Sequence, residues 1–278
     1  FIIPSTWGSA NHALVESGDA DATAYLAAVA TAGGTTDATI DAAVDTLFVD
    51  LKAAGVYSKI YAFYPYVGGT AGSHILNANL NTSYNQVRSG GWTDDSSGAL
   101  PNGTNASSDT QLLPSAALTK NNTALWTYVS GSGRSDYEVD LGTGTYNVSD
   151  MFTALIRAET GGDQNSYFYA YDGPTSRINL NNTEFNDHQG LVGWNRPSAN
   201  IFNVWLKGVK LATDTTATSG ELNTTTNIRV PAPSGNGINW AVRKHLFDAI
   251  TEGFSDTEAT EYQTAINTFQ TTLGRNTY

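Results

Sequence analysis

From Ile60 onward the apolar residues of this chain recur at every second position, in short aromatic or β-branched runs. These are Ile60–Tyr66, Ala124–Val129, Tyr137–Leu141, Phe152–Arg157, Ser166–Tyr171, Gly190–Trp194, Asn203–Leu206 and Asn227–Val230. Clusters of Gly, Asn, Asp and Pro separate them, Tyr171-Asp172-Gly173-Pro174 among them. A period of two places alternate side chains on opposite faces of a strand. Many short strands without intervening helices predict an antiparallel sandwich rather than a βαβ fold. Within that pattern, Asn203-Val204-Trp205-Leu206-Lys207-Gly208 reads as one arm and the tight turn of a hairpin.

The flanks follow a different period. Ile40, Val44, Leu47, Phe48 and Leu51 recur at spacings of three and four, with Thr36 or Asp37 placed to cap the helix and Gly55 to end it. An earlier helix covers Ala22 to Ala30 and stops at Gly33-Gly34. Near the end, Ser255-Asp256-Thr257-Glu258 forms a capping box before the stripe Ala259, Tyr262, Ile266, Phe269. The expected organisation is an extended arm over 1–18, a helical segment over 19–58, and a β-sandwich over 59–278 carrying a C-terminal helix at 256–273. The chain begins at Phe1 rather than Met, which implies processing, trimming or a fragment.

Charge limits the partners. Fourteen Lys and Arg against 26 Asp and Glu give a net charge of −12, and the basic residues form no cluster. Nucleic acid binding needs clustered cations, so it is excluded, as is attraction to an anionic membrane surface. No apolar run approaches the length of a spanning helix. With no cysteine, disulfides, thiolate metal sites and cysteine nucleophiles are ruled out. Charged residues make up only 14% of the chain, so Ser, Thr, Asn and Gly carry the polar surface. Such a surface suits neutral sugars or another protein.

Three motifs occur in order between Tyr57 and Pro114: Tyr64-Pro65-Tyr66-Val67-Gly68-Gly69, Gly90-Gly91-Trp92-Thr93 and Gly98-Ala99-Leu100-Pro101-Asn102-Gly103-Thr104. With the ending Phe269-Gln270-Thr271-Thr272-Leu273-Gly274-Arg275, they resemble a concanavalin/laminin-G-like (jelly-roll) β-sandwich family found among tailed-phage structural proteins. The resemblance runs from about Asp37 to the end. It implies a non-enzymatic, self-assembling, surface-exposed virion subunit (appendage, fibre or capsid decoration), extracellular in location. Its expected partners are further copies of itself, other virion proteins and a cell-surface glycan. The alternatives are a lectin-like carbohydrate-binding adhesin and, after it, a polysaccharide depolymerase. His74 stands where the family commonly has a His, which suggests a loop-ordering hydrogen bond. Asp94 stands where the family often has a second His, so any role of that His does not transfer.

Candidate site residues follow from chemistry. Glu138-Val139-Asp140-Leu141 approaches the Glu-X-Asp-X-(X)-Glu strand of laminarinase-type glucanases, but Gly142 and Thr143 stand where the second Glu belongs. Without it a retaining mechanism lacks its acid/base, so the pair reads as two exposed strand carboxylates and no catalytic residue is assigned. His12, His74, His188 and His245 lie too far apart for metal spacing. Asp94, Asp95 and Asp109, with Asn102 and Asn105, offer oxygens suited to calcium, although no recognised calcium loop occurs; no other cofactor or metal is expected. Trp92 and Trp194 lie beside Gly, Thr, Asn and Arg in loop-like sequence. They are the candidate sugar-stacking platforms, with Asp94, Asp95, Asn195 and Arg196 beside them, while Trp205 reads as core. Phe1, Ile2, Ile3 and Trp7 make the arm apolar, so it is a candidate for adding to a neighbour's sheet edge in assembly.

Overall fold

The computed structural model describes residues 18–131, 138–143, 152–155, 165–170, 177–181, 189–216, 221–232 and 241–278. The assembly-arm residues Phe1, Ile2, Ile3 and Trp7 lie outside these, as do His12, His188 and Trp240.

Two helices lead: α1 (Ala20–Thr31) and α2 (Ala38–Ala53), capped by the side chains of Asp19 and Asp37. The central part holds β1 (Ile60–Tyr64), the one-turn helix α3 (Ala71–His74), β2 (Val87–Ser89), β3 (Trp92–Asp95), β4 (Gly98–Pro101), β5 (Ser107–Asp109) and the short α4 (Pro114–Ala117). Then come β6 (Thr123–Ser130), β7 (Val139–Thr143), β8 (Phe152–Leu155), β9 (Asn165–Ala170), β10 (Arg177–Asn181) and β11 (Gly190–Ser198). The hairpin β12 (Ile201–Leu206) and β13 (Val209–Asp214), turning at Lys207-Gly208, is followed by β14 (Arg229–Val230) and β15 (Lys244–Thr251). The chain closes with α5 (Asp256–Thr272), whose capping box between Ser255 and Glu258 is formed in both directions.

The strands make two antiparallel sheets. One runs β13-β12-β11-β6-β15-β4-β3, with β1 also paired to β15; the other runs β10-β9-β8-β7-β14-β5-β2. The fold is mainly β, with helices at both ends of the chain. Helices α1, α2 and α5 lie on the outer face of the first sheet, and a core of Tyr25, Phe48, Trp126, Phe247, Tyr262 and Phe269 fills that layer. A second core, including Leu125, Phe168, Trp194, Phe202, Val230 and Ile250, lies between the sheets. The first sheet is therefore buried on both faces, and seven of the eight residues of β6 are buried.

The centre of this sheet was hidden in the sequence. β15 pairs with β6 along nearly its whole length, with β1 near its end and with β4 near its start. A bulge between His245 and Phe247 shifts the register. Leu246 and Phe247 both join the helix-side core, while Ile250 joins the core between the sheets. The extra residue puts His245 and Asp248, three apart, on the same inward face, which a regular strand would not do. Trp92–Asp95, which reads as loop, is a strand as well.

Candidate functional site

A polar seam crosses the space between the sheets where β15 faces β5 and β7. Beyond β1, Tyr66 adopts a left-handed φ of 49°, uncommon for a side-chain-bearing residue. Its hydroxyl donates to Asp248 Oδ2 (2.8 Å) and accepts from Gln86 Nε2 (2.9 Å); Gln86 Oε1 in turn accepts from Ser108 on β5 (2.9 Å). The carbonyl of Tyr66 accepts from Arg275 (3.0 Å). These anchors offset the strain of roughly 1–3 kcal/mol such a backbone stores. On β15, His245 Nδ1 lies 2.9 Å from the same Asp248 oxygen, and its Nε2 lies 4.0 Å from Asp140 on β7. Arg243 contacts Asp140 at 2.9 and 3.3 Å and Glu138 at 3.3 Å.

Every charged side chain here is almost fully buried. Burial disfavours the charged imidazole of His245, but Asp248 and then Asp140 outweigh it and raise its pKa above the usual histidine value. Burial raises the carboxyl of Asp248, against the pull of His245. Glu138 and Asp140 are only 1% and 0% exposed. They are thus not exposed strand carboxylates, because Arg243 draws both inward. The seam joins the two sheets through charge and offers no described group to solvent.

A second cluster flanks it. The Thr70–Ser73 capping box fixes α3, and His74 at its end places Nδ1 2.7 Å from Asp94 Oδ1 on β3. Arg88 reaches the same oxygen at 2.6 Å and lies over the Trp92 ring, 4.3 Å from its centroid. Burial depresses the His74 pKa despite Asp94. In Asp94 itself burial is outweighed by His74 and Arg88, and the carboxyl is lowered. The adjacent Asp95 points the other way, to Lys244 Nζ (2.7 Å) and Ser97, which bring its pKa down to about 2 against burial.

The loop motifs fit one another. A Cβ on Gly90, whose φ is 73°, would lie 2.1 Å from the Asn105 carbonyl oxygen; one on Gly98 would lie 2.5 Å from that of His245. Asn102 Oδ1 accepts from the amides of Thr104, Asn105 and Ala106. Asn105 Oδ1 accepts from Gly91 N and Asn102 Nδ2, and Asp109 from Gln111 N. The oxygens considered for calcium are thus engaged separately. Among the described residues no group of three or more His, Cys, Asp or Glu could hold a metal.

The expected tryptophan platforms separate. Trp92 keeps partial exposure, but Trp194 is fully buried, edge-on to Phe202. Its polar neighbours are internal too. Asn195 closes a pair of hydrogen bonds with the main chain of Phe254 (2.7 and 2.8 Å), and Arg196 donates to the carbonyls of Ala170 and Ala199. Trp194, Asn195 and Arg196 are therefore internal, and the polar groups of Asn195 and Arg196 bond to main chain inside the fold. Trp205 is core. Sequence reasoning missed Tyr66, Arg243, Asp248 and Arg275. The one available signal was His245 and Asp248 embedded in an otherwise apolar run.

No family model and no curated protein sequence matches this chain. Solved structures do. The chain is similar to the binding domain of botulinum neurotoxin DC in complex with rat synaptotagmin II, with 10% identity over 75% of this chain and 52% of that one and a TM-score of 0.51. It is also similar to a botulinum neurotoxin type C structure concerned with interaction with two ganglioside molecules (10%, 77% and 53%, TM-score 0.49). A third is domain 4 of AbnA, a GH43 extracellular arabinanase from Geobacillus stearothermophilus, in complex with arabinotriose (12%, 73% and 98%, TM-score 0.46). The chain spans about half the length of the neurotoxin structures. At these identities the likeness defines the class by fold: a helix-flanked β-sandwich of the architecture seen in binding domains. The first of these structures is a binding domain.

Proposed function

We propose that this chain is a non-enzymatic structural subunit of a tailed-phage virion, displayed in several copies and presenting its sandwich outward. The observation that supports this most is the mutual fit of the motifs carrying the family resemblance. Tyr66, His74, Gly90, Trp92, Gly98 and Asn102 come from separate stretches, yet they build one end of the sandwich, and Arg275 at the end of the chain clamps it. The quoted motifs thus form one packed unit of the fold. The botulinum neurotoxin DC domain, a binding domain in complex with rat synaptotagmin II, supports recognition of another protein as a use for this architecture. Light scattering followed by negative-stain electron microscopy of the full chain tests the assembly. Defined oligomers that dissociate when residues 1–18 are deleted would support the reading; a monomer at every concentration would overturn self-assembly.

A second reading, a carbohydrate-binding adhesin, is favoured by Trp92. It is the one described tryptophan that is not buried. A glycan array with and without calcium, repeated with Trp92→Ala, tests it: binding lost in the variant supports it, and no binding by the native chain removes it. The depolymerase reading loses its footing, because Glu138 and Asp140 are held by Arg243.

A further inference from the structure

Helix α3 is one turn long, and a single turn does not hold itself together without tertiary contacts. The backbone leading into it takes a left-handed φ at Tyr66 (49°), Gly68 (91°) and Gly69 (70°). Tyr66 is held by Asp248 and Arg275, and beyond α3 the amide of Ala78 bonds to the carbonyl of Phe63 on β1. Between these anchors the side chain of His74, the last residue of α3, fastens the helix to Asp94 on β3. Asp94 also receives Arg88 of β2. His74 thus closes the end of the sandwich where β2 and β3, the terminal strands of their sheets, come together. It is 1% exposed, and among the described residues its Nε2 has no hydrogen-bond partner.

An ionised carboxylate only accepts, so Nδ1 of His74 carries the proton it donates to Asp94, and Nε2 is bare in the neutral ring. A proton added to Nε2 creates a buried charged donor without an acceptor, which costs more than an unmet lone pair. The charged and titratable groups around the ring are Asp94 on β3, Arg88 on β2, Arg275 in the C-terminal tail and Tyr66, edge-on at 5.7 Å. Behind Tyr66 stand His245 and Asp248 of β15, and α1, which packs on α3, brings Tyr25 near Arg275. Burial, helped by Arg88 and Arg275, outweighs Asp94 and lowers the His74 pKa. We propose that His74 is an acid-released latch: when Nε2 takes a proton, the 68–75 segment swings off β3 about Gly68-Gly69 and unplugs this end of the sandwich. A released ring binds the proton better than the buried one, so the closed form is fully favoured above about pH 6.5 and loses ground as pH falls below it. The seam responds in the opposite sense, because the raised pKa of His245 makes its contribution complete in acid. Opening is therefore local, and it leaves the terminal strand β3 without its α3 neighbour, bared for pairing with another chain. The latch does not rest on the virion reading.

The test is amide hydrogen exchange of the full native chain at about pH 7.5 and about pH 5.5, corrected for the pH dependence of intrinsic exchange. The amides of His74 and Leu76, bonded to the carbonyls of Thr70 and Ser73, report on the segment. One unit below the ordinary histidine value, the opening constant should be about tenfold higher than at the upper pH, while β6 and β12 change less than about twofold. His74→Asn keeps a donor for Asp94 but takes no proton, so its segment should open equally at both pH values. A second measurement needs no variant: the His74 ring of the native chain, followed by nuclear magnetic resonance, should titrate below about pH 6.5. A rise in opening of less than about twofold at the lower pH overturns the proposal. So does the same rise in His74→Asn, or a ring that titrates at or above about pH 6.5.

Discussion

Replacing Arg243 with Met would show how strongly the polar seam depends on this arginine. The side chain sits between β7 and β15, contacts Asp140 through two nitrogens and Glu138 through one, and is 0% exposed. Methionine fills most of the volume but takes the guanidinium away from two carboxylates that are at most 1% exposed. Removing one partner of a buried ion pair costs about 3–5 kcal/mol, a large part of the ~5–15 kcal/mol that holds a typical protein folded. With a urea dependence near 3 kcal/mol per molar for a chain of this size, the unfolding midpoint should fall by about 1–1.7 M. The assay is urea unfolding followed by the fluorescence of the buried Trp126, Trp194 and Trp205. One control identifies the cause. The triple variant Glu138→Gln, Asp140→Asn, Arg243→Met leaves neither carboxylate without the arginine and should regain more than half of the loss. A midpoint shift below about 0.3 M or a triple variant no better than the single one would refute the reasoning.

Other expectations follow from the same contacts. The folded-state pKa of His245 is raised above its unfolded value, so its stabilising contribution is complete below about pH 6.5 and is lost as pH rises through the folded value. The stability difference between the native chain and His245→Asn should therefore narrow from pH 6 to pH 9 in calorimetry; a widening gap would contradict the assignment. Asp95 is lowered to about 2, so its contact with Lys244 contributes above about pH 3.8 and is lost as pH falls toward 2. Asp95→Asn should accordingly lower Tm at pH 6 and leave it nearly unchanged at pH 2. Gly193→Ala would put a methyl group 2.3 Å from the Trp126 ring and 2.6 Å from the Leu125 carbonyl oxygen, and overpacking of about 1–3 kcal/mol should appear as a lowered Tm. Ser255→Ala removes half of a two-way capping box and should cost about 1 kcal/mol in urea unfolding.

The parts of the fold legible in the sequence are those where one regular period is left undisturbed. Helices α2 and α5 declare themselves through caps and stripes, because their buried faces are continuous. β6 and β12 show as β-branched and aromatic runs. β15 does not, although it is the strand the first sheet is built around. Its bulge sets Leu246 and Phe247 on one face, which erases the alternation, and it buries a His and an Asp that composition would place outside. β2 to β5 have only three or four residues each, held by close glycine contacts rather than by an apolar pattern. The site reading failed at Trp194 for a related reason. Asn195 and Arg196 suggest solvent, yet each answers a main-chain group distant in sequence, a demand that no local window of sequence reveals.

The place of β15 in the sheet has a consequence for synthesis. Its partners β1, β4 and β6 are made first, but the strand that joins them follows only after β7 to β14. Until then β6 and β1 each present an open edge to whatever lies nearby, and open edges template association between chains. Arg275 arrives later still, to lock Pro65 and Tyr66 from a distance of about 210 positions along the chain. A product cut short before Lys244 would carry the helices and most of the strands with no way to close them together. Such fragments should be found in the insoluble fraction, and the intact chain alone should escape it.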